Sequence, residues 1–99
     1  SVVSYNDQIA LEVIRALEDA GLKVPEDVSV TGYDDSYLAS SGKVPLTTVA
    51  HPQEKLGEMA AELLLGLLKE GSIPESERQI LVKPELVIRE SCRSRKKEE

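Results

Sequence analysis

The chain has 99 residues, a formal net charge of −6, a mean hydropathy of −0.24 and one cysteine, Cys92. This length allows one small domain with a modest core, and the acidic charge argues against a nucleic-acid-binding face, which needs clustered Lys and Arg. A single cysteine excludes an intrachain disulfide, so a reducing compartment such as the cytoplasm is the simpler assumption, and a secreted origin is the alternative. No apolar stretch is long enough for a membrane span.

The first predicted elements are a strand over residues 1–5 and a helix over residues 8–20, which Asn6 or Asp7 can cap. One broad apolar face of the helix predicts contact with a core. The members of this face are Ile9, Ala10, Val13, Ile14, Ala16, Leu17 and Ala20. Leu11 falls outside the face, among polar residues, so it is either an isolated exposed leucine or part of a subunit contact.

Residues 28–35 place a short β-branched run before Gly-Tyr-Asp-Asp, which is typical of a buried parallel strand that ends in acids. With the preceding strand and helix it predicts a right-handed, parallel βαβ unit, whose ligand site lies at the carboxyl ends of the strands. Side chains alternate along an extended strand, so Asp34 and Asp35 would face opposite sides. We expect Asp34 to contact a ligand and Asp35 to cap a helical turn over residues 36–39. The alternative is that both acids only cap and solvate a loop.

The pattern after this stretch predicts a third strand over residues 47–50 and a helix over residues 52–70. Pro52 suits the first helical position, where its missing N–H is not needed. The helix carries the clearest periodic stripe in the chain, and this stripe predicts contact with a core. The members of the stripe are Leu56, Met59, Ala60, Leu63, Leu64, Leu67 and Leu68.

The C-terminal region predicts two further extended segments, residues 79–83 and 85–89, separated by Pro84. A proline has no N–H to give to a sheet, so these segments are expected at an edge or as a crossing strand. Residues 92–99 form a charged tail that we expect to be disordered. The folded part is therefore predicted to span residues 1–91.

Motifs for catalysis or cofactor binding are missing from the sequence. There is no Gly-x-Ser-x-Gly nucleophile elbow and no Gly-rich phosphate loop after a strand. His51 is the only histidine, and together with Cys92 it has no zinc-ligand spacing. We therefore expect no enzymatic activity, no cofactor and no metal site.

Each of the three predicted parallel strands is followed by a side chain that makes directed hydrogen bonds: Asn6, Asp34 and His51. The carboxyl ends of parallel strands lie side by side, so these side chains are expected to converge. An amide, a carboxylate and an imidazole together suit a neutral, polyhydroxylated ligand. The alternative is that each is local in effect: Asn6 as a helix cap, Asp34 as a loop acid and His51 as the residue before a helix.

Five stretches of the sequence, taken in order, resemble one family. They are Val2-Val3-Ser4-Tyr5-Asn6-Asp7, residues 21–30, Gly32-Tyr33-Asp34-Asp35, Pro45-Leu46-Thr47-Thr48-Val49 and residues 84–91. The family is that of the lactose and galactose repressors, and the resemblance is to the C-terminal part of their effector domains. Residues 5–11 and 47–52 are further similar to the arabinose repressors of Gram-positive bacteria.

The resemblance implies a periplasmic-binding-protein-like α/β fold with a parallel sheet and two subdomains, between which a small-molecule effector binds. It implies that Asn6 and Asp34 contact the effector. It also places His51 by the cleft, at a position that is often glutamine elsewhere. Leu11 lies on the helix that family members use for dimerisation, which favours the subunit contact over the isolated leucine. DNA would be bound only through a domain that is absent from this chain.

These expectations together predict the effector-binding and dimerisation portion of a sugar-responsive transcriptional repressor, with arabinose as the expected type of effector and a homodimer as the assembly. One alternative is a fragment of a sugar-binding protein that serves transport, and another is a purely structural dimerisation module. The chain opens inside a strand-like run, which is how a fragment begins. An unpaired outer edge of the strand over residues 1–5 would also favour self-association.

Overall fold

A computed structural model describes residues 1–95 of the chain, which divide into two units. The first unit combines Ser1–Ala50 with the chain from Glu85 onward, and the second unit is His51–Pro84. The regular elements are β1 (Val2–Val3), α1 (Asp7–Asp19), β2 (Val30–Thr31), α2 (Tyr37–Ser41), β3 (Thr48–Ala50), α3 (Gln53–Glu70), a 3-10 turn (Glu75–Glu77) and β4 (Glu85–Val87). No helix among these residues is long and apolar enough to cross a membrane.

The first unit is organised around two two-stranded sheets, β1–β2 and β3–β4, which isolated bridges connect in the order β1, β2, β3 and β4. β1 pairs with β2 in parallel, with Val2 opposite Val30, so the predicted parallel βαβ unit is confirmed. Two parallel bridges, Thr31 with Thr47 and Asp34 with Ala50, connect the chain of β2 to the chain of β3. β4 is antiparallel to β3 and places Glu85 opposite Ala50. The predicted parallel α/β fold is therefore confirmed, with an antiparallel strand at its edge.

The helix α1 begins and ends as local sequence signals predict. Asn6 is the N-cap, and its Oδ1 accepts a hydrogen bond of 2.9 Å from the Ile9 N–H. The helix stops before Gly21, whose φ of +83° lies in the region that glycine adopts without steric cost. The N–H of Leu22 then returns to the Leu17 carbonyl at 2.9 Å. These bonds satisfy backbone groups that the two helix ends would otherwise leave unpaired.

The buried face of α1 differs from the predicted face. Ala10 and Ile14 are buried as expected, whereas Ile9 is 45% exposed. Leu11 is half-buried and packs against the core, so its prediction as a residue outside the core-facing side is wrong. The reason is the chain that follows α2, because Gly42 and its neighbours cover the Leu11 side of the helix. The core of the unit consists of Ala10, Ile14, Val24, Val30, Ala39 and Leu46.

The second unit consists of α3, the 3-10 turn and extended chain. α3 ends at Gly71, which has a φ of +77° and whose N–H bonds to the Leu67 carbonyl at 2.8 Å. The prediction that the apolar stripe of α3 faces a core is wrong, because the helix contains no buried residue and Leu68 is 73% exposed. The described residues of this unit include no strand, so the predicted strand over residues 79–83 is also wrong. The unit supplies no sheet of its own that the stripe could cover.

The end of the chain returns to the sheet of the first unit. Ser91 is fully buried, and its Oγ donates to the Val30 carbonyl while accepting from the Thr47 N–H at 2.9 Å. The Ser91 side chain therefore bridges β2 and the segment leading into β3. Arg93 donates to the Glu26 carbonyl, so hydrogen bonds to the first unit continue into the predicted tail. Residues 96–99 of that tail lie outside the described residues.

Candidate functional site

The carboxyl ends of β1, β2 and β3 meet at one edge of the sheet. The Asp7 N–H donates to the Tyr33 carbonyl at 3.1 Å, which ties the chain after β1 to the chain after β2. The Asp34 N–H donates to the Val49 carbonyl at 2.9 Å, which ties the chain after β2 to β3. This edge is where an open α/β sheet forms a ligand crevice.

A cavity of about 320 Å³ lies at this edge and is lined by Tyr5, Tyr33 and Asp34. Tyr5 is 82% exposed and Tyr33 is 41% exposed, so both aromatic rings can be reached from solvent. Asp34 is half-buried beside them. A carboxylate can accept hydrogen bonds from two hydroxyl groups, and an aromatic ring offers an apolar face with a polar tip. The cavity therefore suits a ligand that carries several hydroxyls on an apolar ring.

The three predicted ligand residues differ in their positions and in their hydrogen bonds. Asp34 lines the cavity, and Asn6 directly follows a residue that lines it. The Oδ1 atom of Asn6 caps α1, so the local role considered for this residue is observed, and its contact with an effector stays a prediction. His51 is half-buried and belongs to the second unit, where its carbonyl accepts from the Gln53 N–H at 2.8 Å. Its role at the site also stays a prediction.

The backbone at Asp34 and Asp35 turns away from the predicted extended conformation. Asp34 has a φ of +101° and Asp35 a φ of +47°, and these are the positive-φ residues other than glycine in the described chain. Asp and Asn tolerate this region better than most residues, although it remains less favourable than the ordinary regions. The extended geometry on which the predicted alternation depends therefore does not persist to these two residues, although their side chains still differ in place, since Asp34 lines the cavity and Asp35 pairs with Arg89.

Asp35 has a structural role, although not the predicted one. Its Oδ1 atom forms an ion pair with the Arg89 guanidinium at 2.7 Å, with both side chains partly buried. The N-cap residue of α2 is Ser36, so the prediction that Asp35 caps this turn is wrong. The second Arg89 nitrogen donates to the Leu46 carbonyl at 3.1 Å, which holds the guanidinium in place. Asp35 is thus held by an ion pair with a residue distant in sequence and does not act as a helix cap.

Asp7 is the residue of this region whose importance the sequence analysis missed. It is 1% exposed, and its carboxylate accepts from the Ser36 N–H at 2.6 Å, the Ser36 hydroxyl at 2.9 Å and the Thr48 hydroxyl at 2.7 Å. Three donors stabilise this buried carboxylate. Asp7 shares the spacing of the buried residues Ala10 and Ile14, three and seven positions later. This periodicity was the available signal that Asp7 faces inward rather than toward solvent.

Residues 1–95 contain no group of three or more His, Cys, Asp and Glu side chains that could hold a metal ion. Of the acids at this edge, Asp35 pairs with Arg89, and Asp7 accepts hydrogen bonds from hydroxyl donors. The cavity lining offers a carboxylate for hydrogen bonding and two aromatic rings for contact.

Comparison with known families matches residues 1–92 to the periplasmic binding protein-like domain. The arabinose metabolism transcriptional repressor of Halalkalibacterium halodurans is 37% identical over 100 residues, covering 98% of this chain and 27% of that protein. The HTH-type transcriptional repressor PurR of Photobacterium profundum is 39% identical over 94 residues, covering 94% of this chain and 27% of that protein. The chain thus spans about a quarter of the length of these relatives.

Solved structures show the same fold. A complex of the transcriptional regulator CelR with cellobiose superposes with a TM-score of 0.83 at 34% identity, covering 90% of this chain and 27% of that chain. A LacI family transcriptional regulator from Arthrobacter sp. FB24, in complex with lactose, gives a TM-score of 0.80 at 39% identity, covering 92% and 34%. The lac repressor dimer bound to operator and the anti-inducer ONPF gives 0.79 at 33% identity, covering 93% and 31%.

Proposed function

Because this chain belongs to the periplasmic binding protein-like domain family, in the form found in LacI-type transcriptional repressors, we propose that it is part of a sugar-responsive repressor. In this proposal the chain supplies effector-binding and dimerisation surfaces, and DNA is bound through a region outside it. The protein acts in the cytoplasm, where operator DNA lies. The observation that carries the proposal is the cavity formed by Asp34 with Tyr5 and Tyr33 at the carboxyl ends of parallel strands.

A sugar is the effector that this cavity suits best. The Asp34 carboxylate accepts from two adjacent hydroxyls, while the rings of Tyr5 and Tyr33 cover the apolar face of a pyranose or furanose. Two solved relatives carry cellobiose and lactose. The arabinose repressors among the relatives favour an arabinose-type sugar. Asn6 and His51 are proposed as further contacts to the same sugar.

The proposed dimer contact lies beside Leu11 on α1. A groove of about 250 Å³ runs along this side of the helix and includes Glu12, Arg15 and Lys43. Charged side chains of both signs around a half-buried leucine can pair with an identical surface related by twofold symmetry. A relative of known structure is a dimer, the lac repressor. The proposal assigns this groove to contact with a second copy of the chain.

Effector binding would act on DNA affinity by shifting an equilibrium between two states of the repressor. A ligand shifts such an equilibrium only through different affinities for the two states, so operator DNA and sugar must weaken or strengthen each other's binding reciprocally. Operator affinity of a full-length protein that carries this domain should therefore change when the sugar is added. Equal operator affinity with and without every sugar tested would contradict the repressor mechanism.

Titration calorimetry with L-arabinose, D-ribose, lactose, cellobiose and a purine base tests the class of effector. Both this chain and a full-length protein that carries it should be titrated, because the chain spans about a quarter of the length of its relatives. Binding of one of the sugars supports the proposal. Sugar binding without any operator binding by the full-length protein would instead favour a transport protein. Binding of the purine base alone would contradict the choice of a sugar.

A further inference from the structure

Two consecutive aspartates with positive φ form the segment that carries the proposed ligand carboxylate. Asp34, at +101°, and Asp35, at +47°, lie in a region where the backbone of residues other than glycine is strained. Such a conformation persists only where surrounding interactions hold it. The direction in which the Asp34 side chain leaves the backbone depends on it, because φ sets the orientation of the Cα–Cβ bond. The contacts that fix this segment therefore also orient the Asp34 carboxylate.

Three hydrogen bonds hold the backbone of this segment. The Asp34 N–H donates to the Val49 carbonyl at 2.9 Å, the Asp35 N–H to the Thr48 hydroxyl at 3.3 Å, and the Ser36 N–H to the Asp7 carboxylate at 2.6 Å. The middle bond is the longest of the three, and it lies at the residue whose φ is +47°. Of the three backbone hydrogen bonds, the one at Asp35 therefore constrains the segment least.

The side chain of Asp35 supplies the missing constraint through Arg89. The ion pair is 2.7 Å long, and the exposed fractions of the two side chains are 29% for Asp35 and 22% for Arg89. Arg89 is itself fixed at two other points: its Nη1 donates to the Leu46 carbonyl at 3.1 Å, and its backbone N–H donates to the Thr47 hydroxyl at 2.9 Å. Because the planar guanidinium is held by the Leu46 carbonyl as well as by Asp35, it restricts where the Asp35 carboxylate can lie.

We propose that Arg89 is a positioning residue for ligand recognition: by anchoring Asp35 it fixes the positive-φ segment and thereby aims the Asp34 carboxylate into the cavity. This inference rests on the proposed function of Asp34. Arg89 lies in the last part of the chain and is 54 positions from Asp35. The C-terminal segment thus contributes to recognition without touching the ligand.

Nuclear magnetic resonance of the 99-residue chain tests the anchoring without any ligand. A positive φ shortens the distance between the amide proton and the Hα of the same residue, so Asp34 and Asp35 should each show an unusually strong cross-peak between these protons. Arg89→Met should weaken both cross-peaks. Arg89→Lys, which keeps the charge and loses the fork geometry, should give an intermediate effect. In the sugar titration, Arg89→Met should weaken binding by about tenfold, which corresponds to about 1.4 kcal/mol.

Arg93→Met is the matched control, because Arg93 lies four residues further on and binds carbonyl oxygens of Pro25 and Glu26 instead. It should lower the unfolding temperature and leave the cross-peaks of Asp34 and Asp35 unchanged. Asp35→Asn, which keeps the side-chain oxygen and removes its charge, serves as a second variant if Arg89→Met does not fold. Unchanged cross-peaks in a folded Arg89 or Asp35 variant would overturn the proposal. If the cross-peaks change but no sugar binds even the unmodified full-length protein, the proposed function fails while the anchoring by Arg89 stands.

Discussion

Gly32 lies so close to the Asp7 carboxylate that a Cβ atom at position 32 would sit 2.2 Å from Asp7 Oδ1. A side chain at position 32 would clash with Asp7, because the chain that follows β2 passes next to the first turn of α1. The same carboxylate receives bonds from Ser36 and Thr48. Gly32 thus allows Asp7 to connect the starts of two helices with β3.

Gly32→Ala should destabilise the chain by about 1–3 kcal/mol, the usual result of inserting an extra carbon into a closely packed site. Chemical denaturation followed by circular dichroism measures this change. Gly57→Ala is the matched control, since nothing lies within 4 Å of a Cβ added there and the position is inside α3. That variant should be more stable by about 0.5–1 kcal/mol, because alanine favours a helix over glycine. Similar changes in the two variants would contradict the contact at Gly32.

Asp7→Asn should cost about 1–3 kcal/mol, although the two side chains have nearly the same shape. An amide has one acceptor oxygen and one donor group, so one of its ends would face the hydrogen-bond donors of Ser36 or Thr48. Asp19→Asn, at an exposed acid in the last turn of the same helix, should change the free energy of unfolding by less than about 0.5 kcal/mol. Equal effects of the two substitutions in urea denaturation would show that the Asp7 charge has no special role.

Leu46→Ala and Leu68→Ala compare a buried leucine of the first unit with an exposed leucine of α3. Leu46 is fully buried and Leu68 is 73% exposed. Removing the Leu46 side chain should cost about 2–5 kcal/mol, because apolar contact is lost and a cavity remains. Removing the Leu68 side chain should change the free energy of unfolding by no more than about 0.5 kcal/mol. A large loss of stability in Leu68→Ala would indicate that the apolar stripe of α3 faces a core, as periodicity predicts.

Asp34→Asn should weaken sugar binding by about 1.5–3 kcal/mol, the range for a hydrogen bond to a charged group, and should leave the fold intact. Asp35→Asn should lower stability, because the ion pair with Arg89 is lost. Calorimetric titration measures the loss of binding, which the anchoring of Asp35 predicts for both variants, and thermal unfolding measures the loss of stability, which is expected only for Asp35→Asn. If Asp34→Asn in the full-length protein bound the sugar as tightly as the unmodified full-length protein, Asp34 would not be a ligand residue.

Local patterns were sufficient to predict much of the fold. The cap at Asn6, the helix that follows it and the parallel pairing of β1 with β2 each depend on residues close in sequence or on a handedness rule. The position of Asp34 at the carboxyl end of β2 follows from the same unit. These features could be predicted because short-range sequence signals determine them.

The remaining features depend on partners that are distant in sequence. Asp7 meets Ser36 across 29 positions and Thr48 across 41, while Asp35 meets Arg89 across 54. Composition and periodicity contain no information about such pairs. For the same reason, a periodic stripe on α3 predicts an amphipathic helix but not which surface, if any, covers it.

The pairing of Ala50 with Glu85 has a consequence for how this chain can be rearranged. The second unit leaves the first after Ala50 and returns at Glu85, so its two ends are adjacent strand residues, as in a hairpin. Opposed residues of an antiparallel pair are separated by only about 5 Å, a gap that an Asn-Gly reverse turn closes. The whole of His51–Pro84 is therefore an insertion at the tip of a hairpin. We expect that a related insertion, or a short turn, can take its place while β1 to β4 keep their order.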